Sequence, residues 1–132
     1  VSAPDFIQAA DILVKAMGYW PSFHDADVRQ ATRDSDSCTV IIHVYEMTDQ
    51  VDSAGFFVLR KHHLVELLML GVQSDSLPSP YEGDVLSSLS FQRAGSGIRV
   101  TFDSHMDLGG EVVCEEVLVK SVVPYVEPGR SS

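Results

Sequence analysis

Cysteine is scarce in this 132-residue chain: Cys38 and Cys114 are the only two. They are too few for the disulfide framework of a small secreted domain, and they lack the paired spacing of a zinc site. Both lie inside apolar, strand-like segments and read as buried packing thiols, with a single long-range disulfide open to them only in an oxidising compartment. Basic residues are also short, nine Lys and Arg against nineteen Asp and Glu, for a net charge of -10. A chain with that balance is repelled by phosphate, so DNA, RNA and anionic lipid are excluded as natural partners. No run approaches the roughly 18 apolar residues of a membrane span, the longest being Leu67 to Val72. The N-terminus shows no basic segment followed by an apolar one, so no secretory leader is read and a cytoplasmic location is expected.

What the chain does have is enough apolar material to fold. At 45% hydrophobic and 21% charged, it can offset its ordering entropy by burial. One domain over residues 1–128 is expected, with a disordered tail at 129–132 after Pro124 and Pro128 end regular structure. Acid gathers where bases are missing: Asp34, Asp36, Glu46, Asp49 and Asp52 lie between Arg33 and Arg60, and Asp103, Asp107, Glu111, Glu115 and Glu116 between Arg99 and Lys120. Most of these fall at turns, where their field would speed encounter with a basic protein. Asp49, Asp52, Asp75 and Asp107 are the candidate partner-binding residues on that basis.

The elements follow from periodicity. Ser2 as cap, Pro4 in the first turn and Asp5 predict a helix from Ser2 to Met17, with Phe6, Ala10, Leu13, Val14 and Met17 on one face and Gly18 ending it. The period then falls to two. Val28 to Thr32 reads as a weak strand, and Cys38 to Met47 as a strong one buried on both faces. Phe56 to Val72 is too long for one flat strand and is expected to bend or bulge near Lys61 to His63. Residues 73–84 form a loop. Val85 to Phe91 and Ile98 to Phe102 make a hairpin across 94–97, and a last strand covers about 111–123. The fold class is α+β: an N-terminal amphipathic helix packed on a mostly antiparallel sheet of about six strands.

The densest segment is Gly18-Tyr19-Trp20-Pro21-Ser22-Phe23-His24-Asp25-Ala26-Asp27-Val28. Its aromatics and proline would turn the chain from helix to sheet and lock the two together. Trp20, Pro21, Phe23, His24 and Asp25 are therefore read as a structural motif, with His24 and Asp25 satisfying loop backbone groups. At these residues the chain resembles the bacterial immunity protein 50 family, marked by Trp-Pro-Ser-Phe-His-Asp-Ala followed by an acidic and an aliphatic residue. Here Asp27 stands where that family carries glutamate. The resemblance covers about eleven residues of the first quarter. It implies a protein made beside a polymorphic toxin that binds the cognate toxin domain and blocks it without catalysis.

Catalytic signatures find no support. The His24-Asp25 pair lacks the further helical ligands of a metal-dependent phosphohydrolase, and there is no Gly-x-Ser-x-Gly elbow or phosphate-cradling glycine loop. No pair among His24, His43, His62, His63 and His105 has familiar ligand spacing, so neither metal nor cofactor is expected. His43 reads as a hydrogen-bonded, half-buried histidine. The alternative function, from a different class, is a small-ligand or metal-binding β-rich module using a pocket around Trp20, Phe23, His24 and Asp25.

Overall fold

A computed structural model of the protein describes residues 3–126. Its elements in chain order are β1 (Ile7–Gln8), α1 (Ala10–Met17), β2 (Asp27–Asp34), β3 (Ser37–Val51), β4 (Phe57–Leu70), β5 (Ser74–Asp75), β6 (Asp84–Ala94), β7 (Gly97–Ser104), β8 (Gly110–Cys114) and β9 (Glu116–Pro124). The architecture is mostly β, a nine-stranded sheet in the order β1-β9-β4-β3-β2-β6-β7-β8-β5. Every ladder is antiparallel except β1–β9. The sheet's two halves meet through a short β2–β6 ladder, Asp27 opposite Val85 and Val28 opposite Asp84.

The helix is shorter than its start signal predicts. It begins at Ala10, after a left-handed Ala9 that makes no side-chain cap, because Ile7 is drawn into parallel pairing with Val117 and buried there. Burying an isoleucine against a strand outweighs a first helical turn that has little apolar surface to cover. Ser2 lies outside the described residues, as does the tail at 129–132. Phe6 leaves the helix but still packs on the core. Gly18 ends the helix as expected, at φ +88°, with its N–H donating to the Val14 carbonyl at 2.7 Å.

Two further corrections concern strands. The expected last strand is two: the chain leaves β7's side at Cys114, turns at Glu115, and continues as β9 against β4. The turn is fastened by the Glu115 N–H to the Leu70 carbonyl at 2.9 Å. Nor is β3 buried on both faces. Cys38, Val40, Ile42 and Val44 are fully covered, while on the other face Thr39 and Ile41 are only half-covered and His43 is the buried exception.

On that covered face the register lines up Ile42 with Val65, Val40 with Leu67 and Cys38 with Met69, then Leu67 with Val119 and Met69 with Val117. Leu13 and Met17 of α1 are buried with them, and Leu86, Ile98, Val100, Phe102 and Val112 of the second half join the same continuous cluster. One cluster spanning both halves is what a single domain requires. Both cysteines are free and buried in it. Among the described residues no helix is long and apolar enough to cross a membrane.

Candidate functional site

The loop from Gly18 to Ala26 carries the aromatic motif, and it divides by burial. Trp20, Pro21 and Phe23 are buried, with Trp20 edge-on to Phe23 at 5.8 Å and to Phe91 of β6 at 5.9 Å between ring centroids. These three do the packing expected of them. Phe23 and Asp25 both take the left-handed conformation at φ +63°, a sparsely populated state for an aromatic residue. The loop backbone is pinned on both sides of His24. The Asp25 N–H donates to the Leu86 carbonyl at 2.8 Å, the Ala26 N–H to the Phe23 carbonyl at 3.1 Å, and the Tyr45 hydroxyl to the Asp25 carbonyl at 3.0 Å.

His24 meets a backbone group as expected, though on a strand: its Nδ1 lies 2.9 Å from the Ser87 carbonyl oxygen. Ser87 is the extra residue of a bulge, the β6–β7 register slipping between Leu86 and Ser88, which turns its carbonyl out of the ladder. Asp25 departs from expectation, since its carboxylate faces two imidazoles. Asp25 Oδ1 accepts from His105 Nε2 at 2.8 Å, and Asp25 Oδ2 stands 3.6 Å from His24 Nε2. His105 follows β7 directly and is held by its N–H to the Val85 carbonyl at 3.0 Å. Sequence reasoning gave His105 no role, because only the β6–β7 hairpin brings it back across 80 residues.

A cleft of about 320 Å³ opens beside this group, lined in part by Tyr19, Phe23, His24, Asp25, Tyr45 and Glu46. Glu46 is ion-paired to Arg60, and Lys61 stands 3.8 Å from its other oxygen. The Arg60 guanidinium holds the Glu46 carboxyl below the usual carboxylate range.

A second histidine group lies beyond Tyr45, whose ring packs against His43 and His62 at 5.4 and 5.6 Å between centroids. His43 is buried, with Nε2 2.9 Å from His62 Nδ1 and Nδ1 3.2 Å from Arg29 Nη2. A guanidinium only donates, so the Arg29 contact uses a bare Nδ1, whereas the Asp27 carboxylate 3.5 Å from the same nitrogen would take a hydrogen from it. Burial lowers the His43 pKa, and the neighbouring Arg29 and His62 lower it further against the Asp27 carboxylate. Tyr125 closes over the ring at 4.8 Å between centroids.

The four candidate partner-binding acids are not equivalent. Asp49 and Asp52 are exposed at the far end of the β3–β4 hairpin, where Asp52 Oδ1 accepts from the N–H groups of Ala54 and Phe56 at 2.9 and 3.0 Å. Asp107 is exposed in the β7–β8 turn. Asp75 is engaged instead: Arg33 grips it through Nε at 2.6 Å and Nη2 at 3.1 Å. Burial raises its pKa, but Arg33 and the Leu77 N–H more than offset this and leave it lowered.

The hairpin end has a feature that charge counting missed. Pairing of β2 to β3 stops at His43, and pairing of β9 to β4 stops at His63. The Tyr125 N–H still reaches the His62 carbonyl at 3.0 Å and Lys61 the end of α1, but from Met47 opposite Leu59 onward no other strand pairs with the two among the described residues, and that arm exposes Met47 (52%), Val51 (58%), Phe56 (71%) and Phe57 (55%). An alternation of apolar residues predicts a strand but not that its buried side is missing.

No family model, curated protein or solved structure matches the chain.

Proposed function

We propose that this protein is a non-catalytic immunity protein that binds a cognate bacterial toxin domain in the cytoplasm and neutralises it by contact. The observation that carries the reading is the β3–β4 arm, in which no third strand pairs beyond Met47 and Leu59, presenting Met47, Val51, Phe56 and Phe57 to water beside Asp49 and Asp52. Exposed apolar residues beside charge are a common form of a protein-binding site. A bare two-stranded ribbon is marginal in water and gains stability when a partner covers it. With a net charge of -10, the fitting partner is a basic domain. The Trp-Pro-Ser-Phe-His-Asp-Ala resemblance to the immunity protein 50 family supports the same assignment.

The test is co-expression with the C-terminal domain of the toxin encoded beside it. Wild-type protein is expected to restore growth. The double variant Phe56→Ser with Phe57→Ser, which leaves every buried residue in place, is expected to lose protection while its circular dichroism is unchanged. Failure of the wild-type protein to protect would sink the reading, and full protection by the double variant would remove the arm from it.

The cleft supports a second reading, a small-ligand module. Its aromatic walls and the carboxylates of Asp25 and Glu46 suit a compact cationic or polyhydroxylated molecule. A ligand screen by thermal shift in which every hit survives Tyr45→Phe and Asp25→Asn would exclude this cleft as the site.

A further inference from the structure

We propose that His24, Asp25 and His105 bind one divalent transition-metal ion of the zinc class. The first argument is a mismatch between lone pairs. His24 Nδ1 lies 2.9 Å from the Ser87 carbonyl oxygen, which has no hydrogen to give, so that nitrogen carries the ring hydrogen. In the neutral imidazole, Nε2 is then a bare lone pair. It faces Asp25 Oδ2 at 3.6 Å, another acceptor with no hydrogen between them. A cation seated there turns that repulsion into two bonds.

Spacing gives the second argument. Ligand atoms sharing one zinc ion at about 2.0–2.1 Å stand about 3–3.4 Å from each other. His24 Nε2 stands 3.6 Å from Asp25 Oδ2 and His105 Nε2 2.8 Å from Asp25 Oδ1, so the two oxygens face one imidazole each, and one ligand atom from each of the three residues lies within 4.8 Å of the others. His24 and His105 are exposed enough to rotate through the remaining gap.

The surroundings supply the third argument. A metal-bound histidine characteristically donates its other N–H to a backbone carbonyl or carboxylate, and the Ser87 bulge provides that acceptor. Left-handed Phe23 and Asp25 flank His24 at φ +63°, and strain of this kind is retained where surrounding structure holds a functional geometry. On binding, the hydrogen that His105 Nε2 shares with Asp25 must leave. In a neutral ring it moves to Nδ1 through solvent, and from a charged ring it is released to bulk water. Three protein ligands leave at least one position for water or for a donor from outside the chain.

His43 and His62 make a useful contrast. The His43 nitrogens are already taken by Arg29 and His62, and the guanidinium repels a second cation.

Calorimetric titration of the metal-free full chain with Zn²⁺, repeated with Co²⁺ for its visible ligand-field absorption, tests the site. One ion per chain is expected. Loss of a single outer-shell partner typically weakens metal binding by about 10–100-fold, so His24→Ala and His105→Ala should each weaken it by at least about 100-fold, while His62→Ala leaves it unchanged. His105 lies in an exposed turn, so its variant keeps the fold even if the His24 variant does not, and circular dichroism checks both. Absence of one-to-one binding, binding that survives His105→Ala, or equal loss in His62→Ala would overturn the proposal. The toxin-binding reading rests on the β3–β4 arm and stands or falls separately.

Discussion

Lys61 reaches from the β4 bulge to the end of the helix, its Nζ donating to the Met17 carbonyl at 2.8 Å. Residue 61 is left-handed at φ +56°, and the β3–β4 register slips there, with Val44 opposite His63 but Glu46 opposite Arg60. The bulge therefore aims an ammonium at the negative end of α1, where last-turn carbonyls lack helical partners. Lys61→Met keeps most of the apolar stem and removes the donor. It should lower stability by about 1 kcal/mol, the usual size for a partly exposed hydrogen bond of this kind. Urea unfolding checks this: the midpoint should fall with no change in slope.

Trp20 holds the loop down through two edge-to-face contacts, with Phe23 and Phe91. Trp20→Ala removes the largest side chain from a site with little room to collapse, and a loss of about 3–5 kcal/mol is expected. Trp20→Phe keeps an aromatic ring there and should recover much of it. Since Trp20 is the chain's one tryptophan, the comparison is made by circular dichroism in urea. An alanine variant as stable as wild type would mean that the motif does not anchor the sheet.

Much of this architecture was legible because local chemistry agreed with tertiary packing. Gly18 stops the helix, the 94–97 turn closes its hairpin with Ala94 opposite Gly97, and the long segment from Phe56 bends at Lys61 as a flat strand of that length would have to. Other parts depended on partners remote in sequence. Ile7 joins a strand only because Val117 comes alongside. The break at Glu115 is set by a carbonyl on Leu70, and nothing in the run from Glu111 to Val123 marks it. The bulge at Ser87 sets the buried apolar positions of β6 three residues apart, at Leu86 and Leu89, which no strict alternation along the strand would give. His105 joined His24 and Asp25 for the same reason: antiparallel register, not spacing, sets which side chains meet.

Cys38 and Cys114 should be inert in the folded protein. Burial pushes each thiol up to about 11, so the reactive thiolate is almost absent near neutrality. Labelling with a disulfide reagent should wait for unfolding and then reach both thiols together. Rapid reaction of either one in native buffer would contradict their place in the core.

His43 should make the protein acid-sensitive. Burial first, then the charges of Arg29 and His62, depress its pKa below the usual histidine value, while the Asp27 carboxylate opposes them. Tyr45 and Tyr125 pack against the ring. The unfolded chain titrates this histidine near about 6.5 and so binds more protons than the folded one just below that pH. Its contribution is then fully present above about pH 6.5 and is lost as pH falls through the lower folded value. Urea midpoints are compared at about pH 7.5 and about pH 5.5, above the range where most carboxylates titrate, and a His43 variant separates this residue from the chain's other histidines. Wild-type protein should lose stability from the higher pH to the lower, and His43→Gln, which keeps an amide toward His62 but cannot charge, should lose less. Equal losses in the two proteins would show that the acid sensitivity lies elsewhere.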